Sequence, residues 1–116
     1  MASNLQRPSI FVCVDSPDKY ILREVLAGIE EEGIPYDIKE VELSEDTFLH
    51  KIYTESQNSR MNIAVGVMDN RLVIHYGKLP EEEPFIFETI NSYDKEKARK
   101  IGCNAARLYK VMPFKN

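Results

Sequence analysis

The chain has 116 residues, 43% hydrophobic and 29% charged, with a formal net charge of −4. That suffices for a single domain over residues 1–116, with residues 1–8 expected as a loose N-terminal tail. The acidic balance argues against a general affinity for nucleic acid or an anionic membrane. No apolar run reaches the roughly 18 residues of a membrane span, and the N-terminus lacks a basic-then-apolar secretion signal, so a cytoplasmic protein is expected.

The run SIFVCV, Ser9 to Val14, suits a central strand buried on both faces. A helix follows, in which Ser16 is placed to cap and Pro17 to occupy the first helical position. Its apolar stripe is Ile21, Leu22, Val25, Leu26 and Ile29. Gly33 ends it and Pro35 keeps it from resuming. A more exposed strand then alternates Ile34, Tyr36 and Ile38 against polar neighbours. The second helix is expected to start from a Ser44 cap, with Leu43 packed on Phe48 as a hydrophobic staple. MNIAVGVM and RLVIHY, joined by Asp69 and Asn70, read as a hairpin. PFIFETI reads as a fifth strand. The last helix turns Ala98, Ile101, Gly102, Ala105, Leu108, Tyr109 and Met112 inward and ends at Pro113. Its outer stripe is Arg99, Lys100, Arg107 and Lys110, with Cys103 among them. The order predicts a three-layer α/β/α domain around a mixed, mostly parallel sheet of four to five strands containing one antiparallel hairpin strand.

Chemistry-bearing motifs are scarce. Cys13 and Cys103 have neither metal nor redox spacing and read as reduced thiols. There is no glycine-rich phosphate loop and no metal-ligand spacing such as HxxxH or CxxC. His50 falls on the polar side of its helix. His75 alternates with Val73, which predicts a half-buried structural histidine with one satisfied hydrogen bond. A self-contained enzyme is therefore not expected.

The informative feature is the end of the first helix. Glu30, Glu31 and Glu32 occupy its last turn, where the backbone dipole disfavours negative charge. At about 100° per residue, Glu24, Ala27, Gly28 and Glu31 lie opposite the apolar stripe, with Glu31 projecting outward. Ala27 and Gly28 are small enough for another backbone to approach closely. A solvated acidic helix end is the plainer account, and dipole complementarity is the plainer account of the basic stripe on the last helix.

Three blocks, REVLAGIEEEGIP, AVGV with RLVIHYGKLP, and ARKIGCNAARLYKVMPF, resemble the small subunit of the diol/glycerol dehydratase reactivating factor. The resemblance implies a fold like the medium subunit of the coenzyme B12-dependent dehydratase. It implies a non-catalytic docking subunit in a chaperone-like assembly that releases damaged cobalamin by subunit exchange. The partners implied are a large subunit that binds ATP or ADP and hydrolyses ATP, and, transiently, the dehydratase. The resemblance also places Glu31 at a Mg²⁺ shared with the large subunit. The partner-binding residues expected with it are Glu24, Ala27, Gly28, Glu30, Glu31, Glu32, Asn104 and Arg107. No cofactor of the chain's own is expected. Placement in or on a bacterial microcompartment is compatible with this. Two alternatives stand beside it: the dehydratase medium subunit itself, and a free-standing α/β binding module.

Overall fold

The computed structural model describes residues 7–111. Met112 and Pro113, read as the end of the last helix, and residues 1–6 of the expected tail lie outside the described residues. Arg7 pairs with Asp37 at 3.1 Å.

The elements follow in the expected order: β1 (Ile10–Pro17), α1 (Lys19–Glu31), β2 (Tyr36–Glu40), α2 (Phe48–Asn58), β3 (Ile63–Asp69), β4 (Arg71–Tyr76), β5 (Ile86–Thr89) and α3 (Lys95–Val111). They build a five-stranded sheet in the order β2-β1-β3-β4-β5. β1 pairs in parallel with β2 and β3, whereas β4 is antiparallel to both β3 and β5. β4 thus runs against its four companions and is the antiparallel strand that the hairpin signal predicts.

The apolar runs of β1, β3 and β4 are buried on both faces because helices cover both. On one face Ile10, Val12, Ile63, Val65, Leu72 and Ile74 pack with Ile21, Val25 and Ile29 of α1 and with Ala98, Ile101 and Ala105 of α3. On the other, Cys13, Ala64 and Val73 receive Phe48 and Ile52 of α2, with Leu43 packed alongside. Gly66 lets α2 sit close: a Cβ there would lie 2.6 Å from Cδ1 of Ile52 and 2.7 Å from the Phe48 ring. β2 lies at a sheet edge and is the more exposed strand expected, but Ile38 departs from the alternation: Ile34 and Tyr36 pack on the core, whereas Ile38 is exposed.

Two helix starts differ from expectation. Ser16 does not cap α1; its φ is +46° and β1 continues through Pro17, which pairs with Asp69 beyond a bulge. Asp18 is the N-cap, its carboxylate accepting from the amides of Tyr20 at 2.9 Å and Ile21 at 3.1 Å. Strand pairing thereby selects the later of two good capping residues. Ser44 likewise starts a turn rather than α2: its carbonyl accepts from Thr47 and Phe48, and Thr47 holds the cap position. At the other end of α1, Gly33 has φ +74°, and the amides of Gly33 and Ile34 return to the carbonyls of Glu30 and Ile29. This double closure is a Schellman motif, which explains why the glycine stops the helix.

His75 is more buried than its strand pattern suggests, with no accessible surface. Nε2 lies 2.9 Å from the Glu81 carbonyl, Nδ1 lies 3.3 Å from that of Tyr76, and the ring packs on Tyr53. The structural role expected for it stands. His50, in contrast, is exposed and meets the Glu81 carboxylate at 3.1 Å.

Candidate functional site

α1 and α3 lie on the same face of the sheet and touch along their length. Their crossing is built on glycine. A Cβ on Gly28 would collide with the Arg99 carbonyl and stand 2.7 Å from the amide nitrogen of Cys103. A Cβ on Gly102 would collide with the backbone of Val25. Two backbones approach this closely only where neither residue carries a side chain. The helical wheel places Gly28 on an open outer face; the structure instead buries it against α3. The close backbone approach does occur, but within the chain.

This approach brings the acidic end of α1 against the basic stripe of α3. Nε and Nη2 of Arg99 both lie 2.9 Å from Oε1 of Glu24. Nη1 of Arg99 donates to Oε2 of Glu31 at 3.4 Å, and the Cys103 thiol donates to Oε1 at 3.3 Å. One turn further on, Glu32 accepts from Arg107 at 2.9 Å and from Lys110 at 2.7 Å. The hydrogen bond from Lys110, followed by that from Arg107, holds the Glu32 carboxyl below its usual range. Burial, and next the Glu31 carboxylate, push the Cys103 thiol up. The carboxylates that oppose the dipole of α1 thus find cations and donors on α3. Taken separately, surface pairs of this kind contribute little, because solvent screens them.

Glu30 stands apart. It is exposed and accepts from the Tyr36 hydroxyl at 2.9 Å, facing a shallow depression that Ala27, Leu22 and Leu26 also line. Asn104 lies on the outer side of α3, in a depression shared with Arg99, Lys100, Cys103 and Arg107. The expected residues therefore fall in four places. Glu24 and Gly28 lie in the seam between the helices; Glu31, Glu32 and Arg107 lie at its rim; Ala27 and Glu30 lie on one flank, with Asn104 on the other. The tie between Arg99, Cys103 and Glu31 is not readable from either helix alone. The signal for it is the pair of glycines, one per helix, each flanked by charge of opposite sign.

Among the described residues no group of three or more His, Cys, Asp or Glu could hold a metal ion. Glu31 is nevertheless suited to completing a shared site, since its side chain is 55% exposed and its carboxylate is a hard oxygen donor. Mg²⁺ commonly takes only one or two protein carboxylates. At the carboxyl end of the parallel strands, where nucleotides bind in many α/β folds, the mouth is lined by Asp15, Glu40 and Glu42. The Asp18 carboxylate already occupies the first amides of α1. These groups disfavour a phosphate.

No helix among the described residues is long and apolar enough to cross a membrane. A family model described as the dehydratase medium subunit matches residues 7–115. The propanediol dehydratase-reactivating factor small subunit of Citrobacter freundii is 36% identical over 99% of this chain and 97% of its own length. The diol dehydratase-reactivating factor small subunit of Klebsiella michiganensis is 33% identical over 100% and 90%. A solved diol dehydratase-reactivating factor, complexed with ADP and Mg²⁺, superposes with a TM-score of 0.81 at 31% identity over 96% of this chain and 100% of the matched one. A glycerol dehydratase reactivase shares the fold at 20% identity and a TM-score of 0.78 over 95% and 98%. The chain belongs to the dehydratase medium subunit family and, within it, groups with the small subunits of diol and propanediol dehydratase-reactivating factors.

Proposed function

We propose that this chain, as one domain over residues 1–116, is the non-catalytic small subunit of an ATP-dependent reactivating factor. It docks on a large subunit that binds and hydrolyses ATP, and leaves when that subunit takes hold of the B12-dependent diol or glycerol dehydratase. The exchange lets the dehydratase release damaged cobalamin. Two similar folds competing for one surface need only a nucleotide-dependent change in relative affinity. The work is placed in the cytoplasm, or in or on a bacterial microcompartment.

The observation that supports this best is Glu31 itself: an exposed carboxylate at the rim of a rigid two-helix seam. In the assembly Glu31 would be the ligand this chain lends to a Mg²⁺ held mainly by the large subunit, and the ion would supply positive charge beside the carboxylates that end α1. Ala27, Glu30, Glu32, Asn104 and Arg107 form the surrounding contact surface. Glu24 and Gly28 support it from within the seam.

The test is affinity for the large subunit across Mg²⁺ concentrations. Glu31→Gln is expected to weaken assembly and flatten its Mg²⁺ dependence. Glu30→Gln should do less, because that carboxylate faces Tyr36. Identical curves for wild type and Glu31→Gln would refute a metal role. ATP turnover by the lone chain would refute a docking subunit, and co-purification with cobalamin and a catalytic subunit would favour the dehydratase medium subunit instead.

A further inference from the structure

Both oxygens of Glu31 are engaged by α3, one by the Cys103 thiol and the other by Nη1 of Arg99. Arg99 divides its guanidinium unequally. Two of its nitrogens lie 2.9 Å from Glu24, whereas the third reaches Glu31 at 3.4 Å. The Glu24 side chain is 16% exposed against 55% for Glu31. A short two-armed contact in a less hydrated place outlasts a long single one in water. Glu31 can therefore leave Arg99 while Arg99 stays anchored on Glu24.

We infer that Arg99 is a positioning residue that holds Glu31 in reserve and competes with an external divalent cation for its carboxylate. Glu24 acts through Arg99, drawing the guanidinium away from Glu31. The thiol of Cys103 is a weak donor and contributes less. This inference rests on the reading of Glu31 as a ligand to a shared Mg²⁺. It adds that the chain itself sets how much Mg²⁺ is needed to claim that ligand, and that Arg99 and Glu24 set it in opposite directions.

The experiment is a Mg²⁺ titration of assembly with the large subunit, read as the Mg²⁺ concentration at half-maximal assembly. Arg99→Gln is expected to lower that concentration by about 1.5- to 5-fold, the range for one exposed ion pair. Glu24→Gln is expected to raise it by a similar factor, because Arg99 then turns wholly to Glu31. Should Arg99→Gln not fold, Arg99→Lys serves: a lysine satisfies Glu24 but lacks the second arm, so the midpoint again falls. A purely structural role would weaken assembly in both the Arg99 and Glu24 variants. Shifts of the same sign, or none, would overturn the inference while a flattened Glu31→Gln curve still upheld the shared metal. An unchanged Glu31→Gln curve would overturn the metal role itself, and this inference with it.

Discussion

Gly28 of α1 and the Gly102 carbonyl carbon of α3 are so close that a Cβ on Gly28 would stand 3.1 Å from it. The obstacles around both glycines are backbone atoms, which cannot rotate aside. Alanine is the better helix former by about 1 kcal/mol, so an isolated helix would gain from either substitution. Here the helices must separate instead. Overpacking of this kind costs typically 1–3 kcal/mol. Gly28→Ala and Gly102→Ala are each expected to lower unfolding free energy by up to about 2 kcal/mol net in urea titrations. A stabilised variant would show that the seam is looser than described.

How much of this could be read from the sequence depends on the range of the interaction concerned. Element order was legible because it follows from local periodicity: the run at Ser9–Val14, the stripe from Ile21 to Ile29 and the turn at Asp69–Asn70 each announce themselves within a few residues. The start of α1 is not legible locally because Ser16 and Asp18 are equally good caps, and only the distant pairing of Pro17 with Asp69 decides between them. The candidate site was half legible. A helical wheel shows which way Glu31 and Gly28 point, but it holds no neighbour. That α3 covers Gly28, and that Arg99 reaches Glu24 across 75 residues, follows from the two helices sharing one face of the sheet.

Ser59 gives a second test of long-range structure. It is buried, donates to the Ser9 carbonyl at 2.6 Å and accepts from the Met61 amide at 3.1 Å. It thereby ties the start of β1 to the turn before β3. Ser59→Ala would strand a buried carbonyl and a buried amide, at about 1–3 kcal/mol for an unsatisfied group. Chemical denaturation should show a loss in that range, whereas Ser92→Ala, half-buried on the turn before α3, should be close to neutral.

The Glu32 pairs predict a pH dependence with a definite sign. The Glu32 carboxyl is held low in the folded chain, first by its hydrogen bond with Lys110. Its contribution is therefore fully present above the unfolded glutamate value of about 4.3 and is lost as pH falls through the lower folded value. Asp37, held low first by the Ser9 hydroxyl, acts in the same direction. Glu32→Gln should lose less stability than wild type as the pH is lowered through this window. Parallel thermal-melt curves for the two proteins between neutral and acid pH would contradict the Glu32 contacts.

Cys103 offers a chemical reporter of the Glu31 contact. Its thiol is raised first by burial, then by the hydrogen bond and charge of Glu31, with Arg107 pulling the other way. Thiol alkylation proceeds through the thiolate, so its pH–rate profile follows this balance. Glu31→Gln keeps the shape and removes the charge, and the Cys103 profile should move to lower pH. Arg107→Gln should move it to higher pH. Cys13 is an internal control: fully buried, with a thiol pushed up to about 12 mainly by that burial, it should stay unreacted until the chain unfolds. Mass spectrometry after timed alkylation distinguishes the two sites. A Cys103 profile unmoved by Glu31→Gln would mean that the carboxylate does not rest on the thiol, and that the rim of the seam is arranged otherwise.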